Sequence, residues 1–123
     1  MKSDKKARLE RAGWVIGDAT IAAPQPKSGF SANAQAKVAA AAIVASLNGA
    51  PIPDPIWMNT CYSLISPTWG ITVAGVYRVI DGKLAEVPGS GGVSALGAPP
   101  SVRALEAAYA ESWYTNIVQD IGG

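Results

Sequence analysis

The 123-residue sequence predicts an α+β fold, and three observations carry that prediction. An Ala-rich apolar block, SANAQAKVAAAAIVASLN, contains good helix formers and no breaker. A run rich in Val, Ile and Tyr over 71–80 ends in Asp81-Gly82, a two-residue hairpin signal. After Pro99-Pro100-Ser101, apolar residues recur at helical spacing towards the C-terminus.

The elements follow in order. Residues 1–12, MKSDKKARLERA, mix basic and acidic side chains and read as a polar tail; they lack the apolar stretch of a secretory signal. Trp14-Val15-Ile16 reads as a short strand ending in Gly17-Asp18. Glycine lets the chain turn sharply there and leaves the Asp18 carboxylate at the strand's carboxyl end, where ligands sit in open α/β sheets. A loop rich in Pro and Gly follows, with a single cation at Lys27. A long helix then opens near Ser31 and closes about Asn48, with Ser31 and Asn33 as candidate caps. Residues 38–45 are apolar almost all round, so burial on more than one face is expected. Gly49 supplies a left-handed stop, and Pro51, Pro53 and Pro55 prevent continuation; 50–55 is the best domain boundary.

Beyond the boundary, 61–66 reads as a short strand and 71–80 as a longer one, with 84–87 pairing back antiparallel. Gly89-Ser90-Gly91-Gly92 lacks the Lys-Ser/Thr and following helix of a phosphate loop, and reads as a flexible turn. The closing helix spans about eighteen residues, with Val102, Leu105, Tyr109, Trp113 and Ile117 forming one packed stripe.

Composition excludes several functions. Net charge is +1 and only 15% of residues are charged, so no basic face for nucleic acid exists. Without histidine and with one cysteine, the chain has neither a zinc-ligand set nor a Ser-His-Asp triad nor an intrachain disulfide. The most apolar stretch, 34–47, falls short of the roughly 20 residues that span a bilayer and contains Gln35 and Lys37. What the sequence does offer is a carboxylate at Asp18 for hydroxyls and a helix N-terminus for a polarised carbonyl. That pair suits a flavin, with its ribityl chain and pyrimidine ring. Lys27 beside such a ring favours its anionic reduced form by Coulomb attraction. On its own, Cys61 reads as a small buried hydrophobe.

These residues also carry a resemblance. VIGDAT, followed by PQPKSGFSANAQAKVAAAAI, resembles the second flavin-binding segment of the two-dinucleotide-domain, glutathione-reductase-like flavoproteins. Further matches are Asn59-Thr60-Cys61-Tyr62-Ser63, Trp69-Gly70-Ile71, Val76-Tyr77-Arg78 and Glu111-Ser112-Trp113-Tyr114. With these included, 13–123 resembles the flavoprotein subunit of flavocytochrome c sulfide dehydrogenase, and NTCYS is the most specific piece.

The resemblance implies FAD as cofactor, bound beside Gly17, Asp18, Lys27, Ser31, Asn33 and Gln35. It places the Asp18 carboxylate on a ribityl hydroxyl and Trp113 as a wall on the substrate side. It implies that Cys61 is catalytic, forming a redox-active disulfide with a cysteine of an N-terminal part and accepting attack by sulfide. Electrons then pass through the flavin to a c-type cytochrome subunit, and the family is typically periplasmic.

No G-x-G-x-x-G fingerprint occurs in the chain, and 123 residues are too few for two dinucleotide domains of roughly 100–200 residues each. The chain therefore reads as a C-terminal fragment, inactive alone. Its expected parts are a tail over 1–12, the end of an FAD-binding domain over 13–50, and a flavin-binding and interface domain over 51–123. Two alternatives stand beside this reading: a sulfide:quinone-type flavoprotein, and a non-catalytic remnant or interaction module.

Overall fold

The computed structural model describes residues 14–122. The expected polar tail over 1–12 lies outside the described residues. The fold is α+β: two helices and an antiparallel sheet of four strands. In order come a 3₁₀ turn at Gly17–Ala19, helix α1 (Gly29–Leu47), strands β1 (Ile56–Ser66), β2 (Trp69–Ile80), β3 (Lys83–Glu86) and β4 (Gly92–Val93), and helix α2 (Pro100–Asp120).

β2 is the centre of the sheet. β1 pairs along one edge, from Ile56 opposite Arg78 to Leu64 opposite Gly70, with an irregularity before Ser66 meets Trp69. β3 and then β4 share the other edge. The β2–β3 connection is the expected two-residue turn. Asp81 (φ 50°) and Gly82 (φ 75°) both take left-handed angles, which match the twist of the strands they join.

Period two sorts the sheet into two faces. Trp57, Asn59, Cys61, Val73, Gly75 and Tyr77 share one face by register; Tyr62, Gly70 and Thr72 share the other. Helix α2 covers the second face. A Cβ placed on Gly70 would stand 2.5 Å from the Ala107 backbone nitrogen, so the helix backbone rests directly on β2. Helix α1 packs on β1 alone, at the sheet's edge. It meets α2 at two places: the Phe30 and Trp113 rings stack with centroids 5.9 Å apart, and Lys37 pairs with Asp120 at 2.7 Å.

Several expectations are corrected. Trp14, Val15 and Ile16 form no strand: Ile16 is extended, but no strand among the described residues lies beside this segment to complete a ladder. Helix α1 starts two residues before Ser31, and its cap is Ser28, whose Oγ accepts from the Ser31 N–H at 3.0 Å. Glycine at position 29 disguised the start, yet at a first helical position its N–H has no intrahelical partner to lose. α1 is not buried on several faces. Ser31, Gln35 and Ala42 are its buried residues, while Val44 and Leu47 are exposed.

The packed stripe of α2 is also rotated from the expected one. Its buried residues are Arg103, Ala107 and Ala110, with Trp113 and Ile117 half-buried, whereas Val102, Leu105 and Tyr109 are exposed. Small side chains win that face because Gly70 and Ala107 allow backbones to touch. Finally, the turn at 89–92 is tied rather than free: Ser90 Oγ donates to the Val87 carbonyl at 2.7 Å and accepts from the Val76 N–H at 3.1 Å.

Candidate functional site

The sequence-derived site residues gather around the opening of α1, in two groups. The first is the Gly17-Asp18 turn. Gly17 takes φ +72°, and the Thr20 N–H and Oγ both donate to its carbonyl, at 3.0 and 2.8 Å. Its N–H donates to Gln35 Oε1 at 2.7 Å, and Gln35 Nε2 donates to Gln25 Oε1 at 3.0 Å. Gln25 in turn donates to the Met58 carbonyl of β1 at 3.3 Å. Both ends of the buried Gln35 amide are thus engaged within the chain, pinning the turn to α1. Lys27 Nζ donates to the Asp18 carbonyl at 2.5 Å, which brings the ammonium over the turn and leaves the Asp18 carboxylate exposed.

The second group runs from the cap of α1 to β1. Ser28 Oγ and Ser31 Oγ both donate to Asn59 Oδ1, at 2.6 and 3.0 Å. Asn59 Nδ2 lies 3.3 Å from Cys61 Sγ. Ser31 and Asn59 are each 1% exposed, and Cys61 is half-buried with a free thiol. Tyr77 lies on the same face of the sheet. Burial pushes its phenol above the ordinary value, and the Glu86 carboxylate and Cys61 add to that rise, so Tyr77 stays a proton donor at neutral pH.

Not all candidates converge. Asn33 sits one helical face away, beside the Lys37–Asp120 pair, where it helps hold the Asp120 carboxyl below its usual range after the larger effect of Lys37. Trp113 is an anchor for α1: it stacks on Phe30 and tilts against Tyr62 at 6.3 Å. Gly29 leaves the ring room, since a Cβ there would meet the indole at 3.6 Å. Gly17, Asp18, Lys27, Ser28, Ser31 and Gln35 line one shallow cleft too narrow to admit a water. Cys61 is not among its lining residues. It joins the helix opening through Asn59 instead.

Sequence reasoning named Asn59 only as part of NTCYS and passed over Ser28 and Gln25. The legible signal was spacing: in a strand, residues two apart share a face, so Asn59 had to accompany Cys61.

A flavin needs donors for its pyrimidine oxygens, an acceptor for its ribityl hydroxyls and an apolar wall. The first-turn N–H groups of α1 and the Asp18 carboxylate supply the donors and the acceptor on one edge. The Phe30–Trp113–Tyr62 aromatics lie between α1 and α2, with Tyr62 on the sheet face opposite Cys61, so the polar groups fit a flavin only as an open edge. Among the described residues, no helix is long and apolar enough to cross a membrane. A protein-family model described as flavocytochrome c sulphide dehydrogenase, flavin-binding, matches residues 53–121, more than half of the chain. Cys61, Asn59 and Trp113 fall within the match; the Gly17-Asp18 turn and α1 precede it.

Proposed function

This chain belongs to the flavin-binding family of flavocytochrome c sulphide dehydrogenase. From that premise we propose that it is the flavin-binding and interface part of an FAD-dependent oxidoreductase that oxidises sulfide and passes electrons to a periplasmic c-type cytochrome. The observation that carries this reading is the placement of Cys61. It lies within the matched stretch, on the sheet face left open by α2, and is wired through Asn59 to the helix opening beside Gly17-Asp18.

The same reading gives the remaining residues these roles. The Asp18 carboxylate is free to accept from ribityl hydroxyls, with Gln35 holding its turn in place. Lys27 brings positive charge to the same edge. Trp113 fastens α2 to α1 and so keeps the aromatic cluster together. The match begins at residue 53, which supports a division of the chain near 50–55 into the end of an FAD-binding domain and a flavin-binding domain.

In this reading, as the family resemblance implies, Cys61 forms a redox-active disulfide with a cysteine of an N-terminal portion of the flavoprotein. Hydrosulfide attacks one sulfur of that disulfide; the S–S bond breaks, one cysteine keeps the new persulfide, and the other leaves as a thiolate with the bond's electron pair. The flavin, when bound, supplies a two-electron acceptor that can hand electrons on one at a time.

The test uses the chain together with the N-terminal portion. Cys61→Ser is expected to abolish sulfide-dependent bleaching of the flavin absorbance while leaving the flavin bound. Bleaching at the parental rate would overturn the reading.

A further inference from the structure

Hydrogen bonds connect the opening of α1 to Cys61 through Asn59. The Ser31 N–H, one of the unpaired donors at the start of a 19-residue helix, donates to Ser28 Oγ. The only proton of the Ser28 hydroxyl goes to Asn59 Oδ1, and so does that of Ser31. With Oδ1 accepting from both hydroxyls, the amide NH₂ faces the sulfur at 3.3 Å. The reverse contact, from the thiol to Oδ1, is longer at 3.6 Å. Asn59 is 1% exposed, so water does not compete for its bonds.

We infer that Asn59 is a positioning residue for Cys61: it links the α1 N-terminus to the sulfur and holds that sulfur in place by a hydrogen bond from its amide. A chain of aligned donors polarises each successive link, and the positive end of the helix macrodipole lies at its head. This is what a cysteine needs when it must accept the electron pair of a broken S–S bond. The inference rests on the reading of Cys61 as the reacting sulfur, but its test is read on the thiol alone.

Among the described residues, no other side chain hydrogen-bonds the sulfur. On the same face, β2 contributes the Tyr77 phenol and β3 the Glu86 carboxylate, and the carboxylate opposes a thiolate. From the opening of α1 come only the uncharged Ser28 and Ser31. Tyr62, with Tyr109 and Glu106 of α2, belongs to the opposite face.

The experiment is the pH profile of Cys61 alkylation by iodoacetamide in the 123-residue chain. Asn59→Asp keeps the shape and still accepts from both serines, but it turns an oxygen towards the sulfur. Its profile is expected to move to higher pH, with alkylation at neutral pH about tenfold slower. Asn59→Ala removes the donor without adding charge, and is expected to shift the profile the same way by less. In guanidinium chloride all three chains should react alike, which ties the effect to the fold. Profiles for both variants that superimpose on the parent would overturn the inference. A shifted profile alongside unchanged flavin bleaching in Cys61→Ser would retain the inference about the thiol and reject the proposed function.

Discussion

Gly70 shows how much one residue decides here. It is buried in β2 with the Ala107 backbone against it, and an added Cβ would meet the Ala107 nitrogen at 2.5 Å and the Glu106 carbonyl carbon at 2.8 Å. Those are backbone atoms, which cannot swing aside as a side chain would. Gly70→Ala is therefore expected to destabilise the fold by about 1–3 kcal/mol through overpacking, read as a lower urea midpoint. Gly82→Ala has open space around it, and its cost comes only from its φ of +75°. Residues whose chemistry is unusual on sight, Asp18, Lys27 and Cys61, were legible from the sequence as candidates. Asn59 and Gln35 were not legible in their structural tasks, because an amide's role depends on which atoms the fold brings to each end. Composition says nothing about that.

Among the elements, α2 is held to the sheet by a polar seam as well as by close packing. The buried Arg103 guanidinium pairs with Glu106 at 3.0 Å, donates to the Ala95 carbonyl at 2.5 Å and lies 5.9 Å from the centre of the Trp69 ring. Glu106 also accepts from Ser94, just beyond β4. The Ser94 hydrogen bond is the largest influence holding the Glu106 carboxyl below its usual range, followed by the bond from Arg103 and the Arg103 charge; burial opposes them. A depressed carboxyl contributes stability above its unfolded value near 4.5 and loses it as pH falls through the lower folded value. Thermal melts between pH 6 and 3 are therefore expected to show a drop in Tm below about pH 4.5 that is shallower in Glu106→Gln; parallel curves would reject this role. Sequence patterns located this helix and the Asp81-Gly82 hairpin, since each rests on local chemistry, although the helix takes in Pro100 and Ser101, which those patterns place before it. They misassigned the buried stripe and made a strand of Trp14, Val15 and Ile16, because both depend on neighbours. A stripe goes where the opposing surface lets backbones approach, and an extended segment becomes a strand only when another lies beside it.

At the scale of the whole chain, the apolar surface exceeds what the fold covers. Among the described residues, the buried hydrophobic side chains are Ala42, Tyr77, Ala107 and Ala110, three of them alanines. Trp14, Val44, Leu47, Met58, Val73 and Val79 are all more than two-fifths exposed. Val73 and Val79 lie on the sheet face that carries Cys61, and Val44 and Leu47 on the outer side of α1, so a flavin lying against either would be held on one side only. High-affinity sites bury roughly 70–90% of a ligand's surface, and the cleft beside Asp18, too narrow for a water, encloses none of an isoalloxazine ring. One wall can orient a flavin, but the energy of excluding water from its second face is missing, and the ordering cost of association remains. The isolated chain is therefore expected to bind FAD weakly, with no saturable one-to-one endpoint when followed by quenching of flavin fluorescence. Supplied with the N-terminal portion, the same chain should purify yellow. A tight one-to-one titration of the chain alone would show that its open wall suffices, and would remove the reason for seeking a second one.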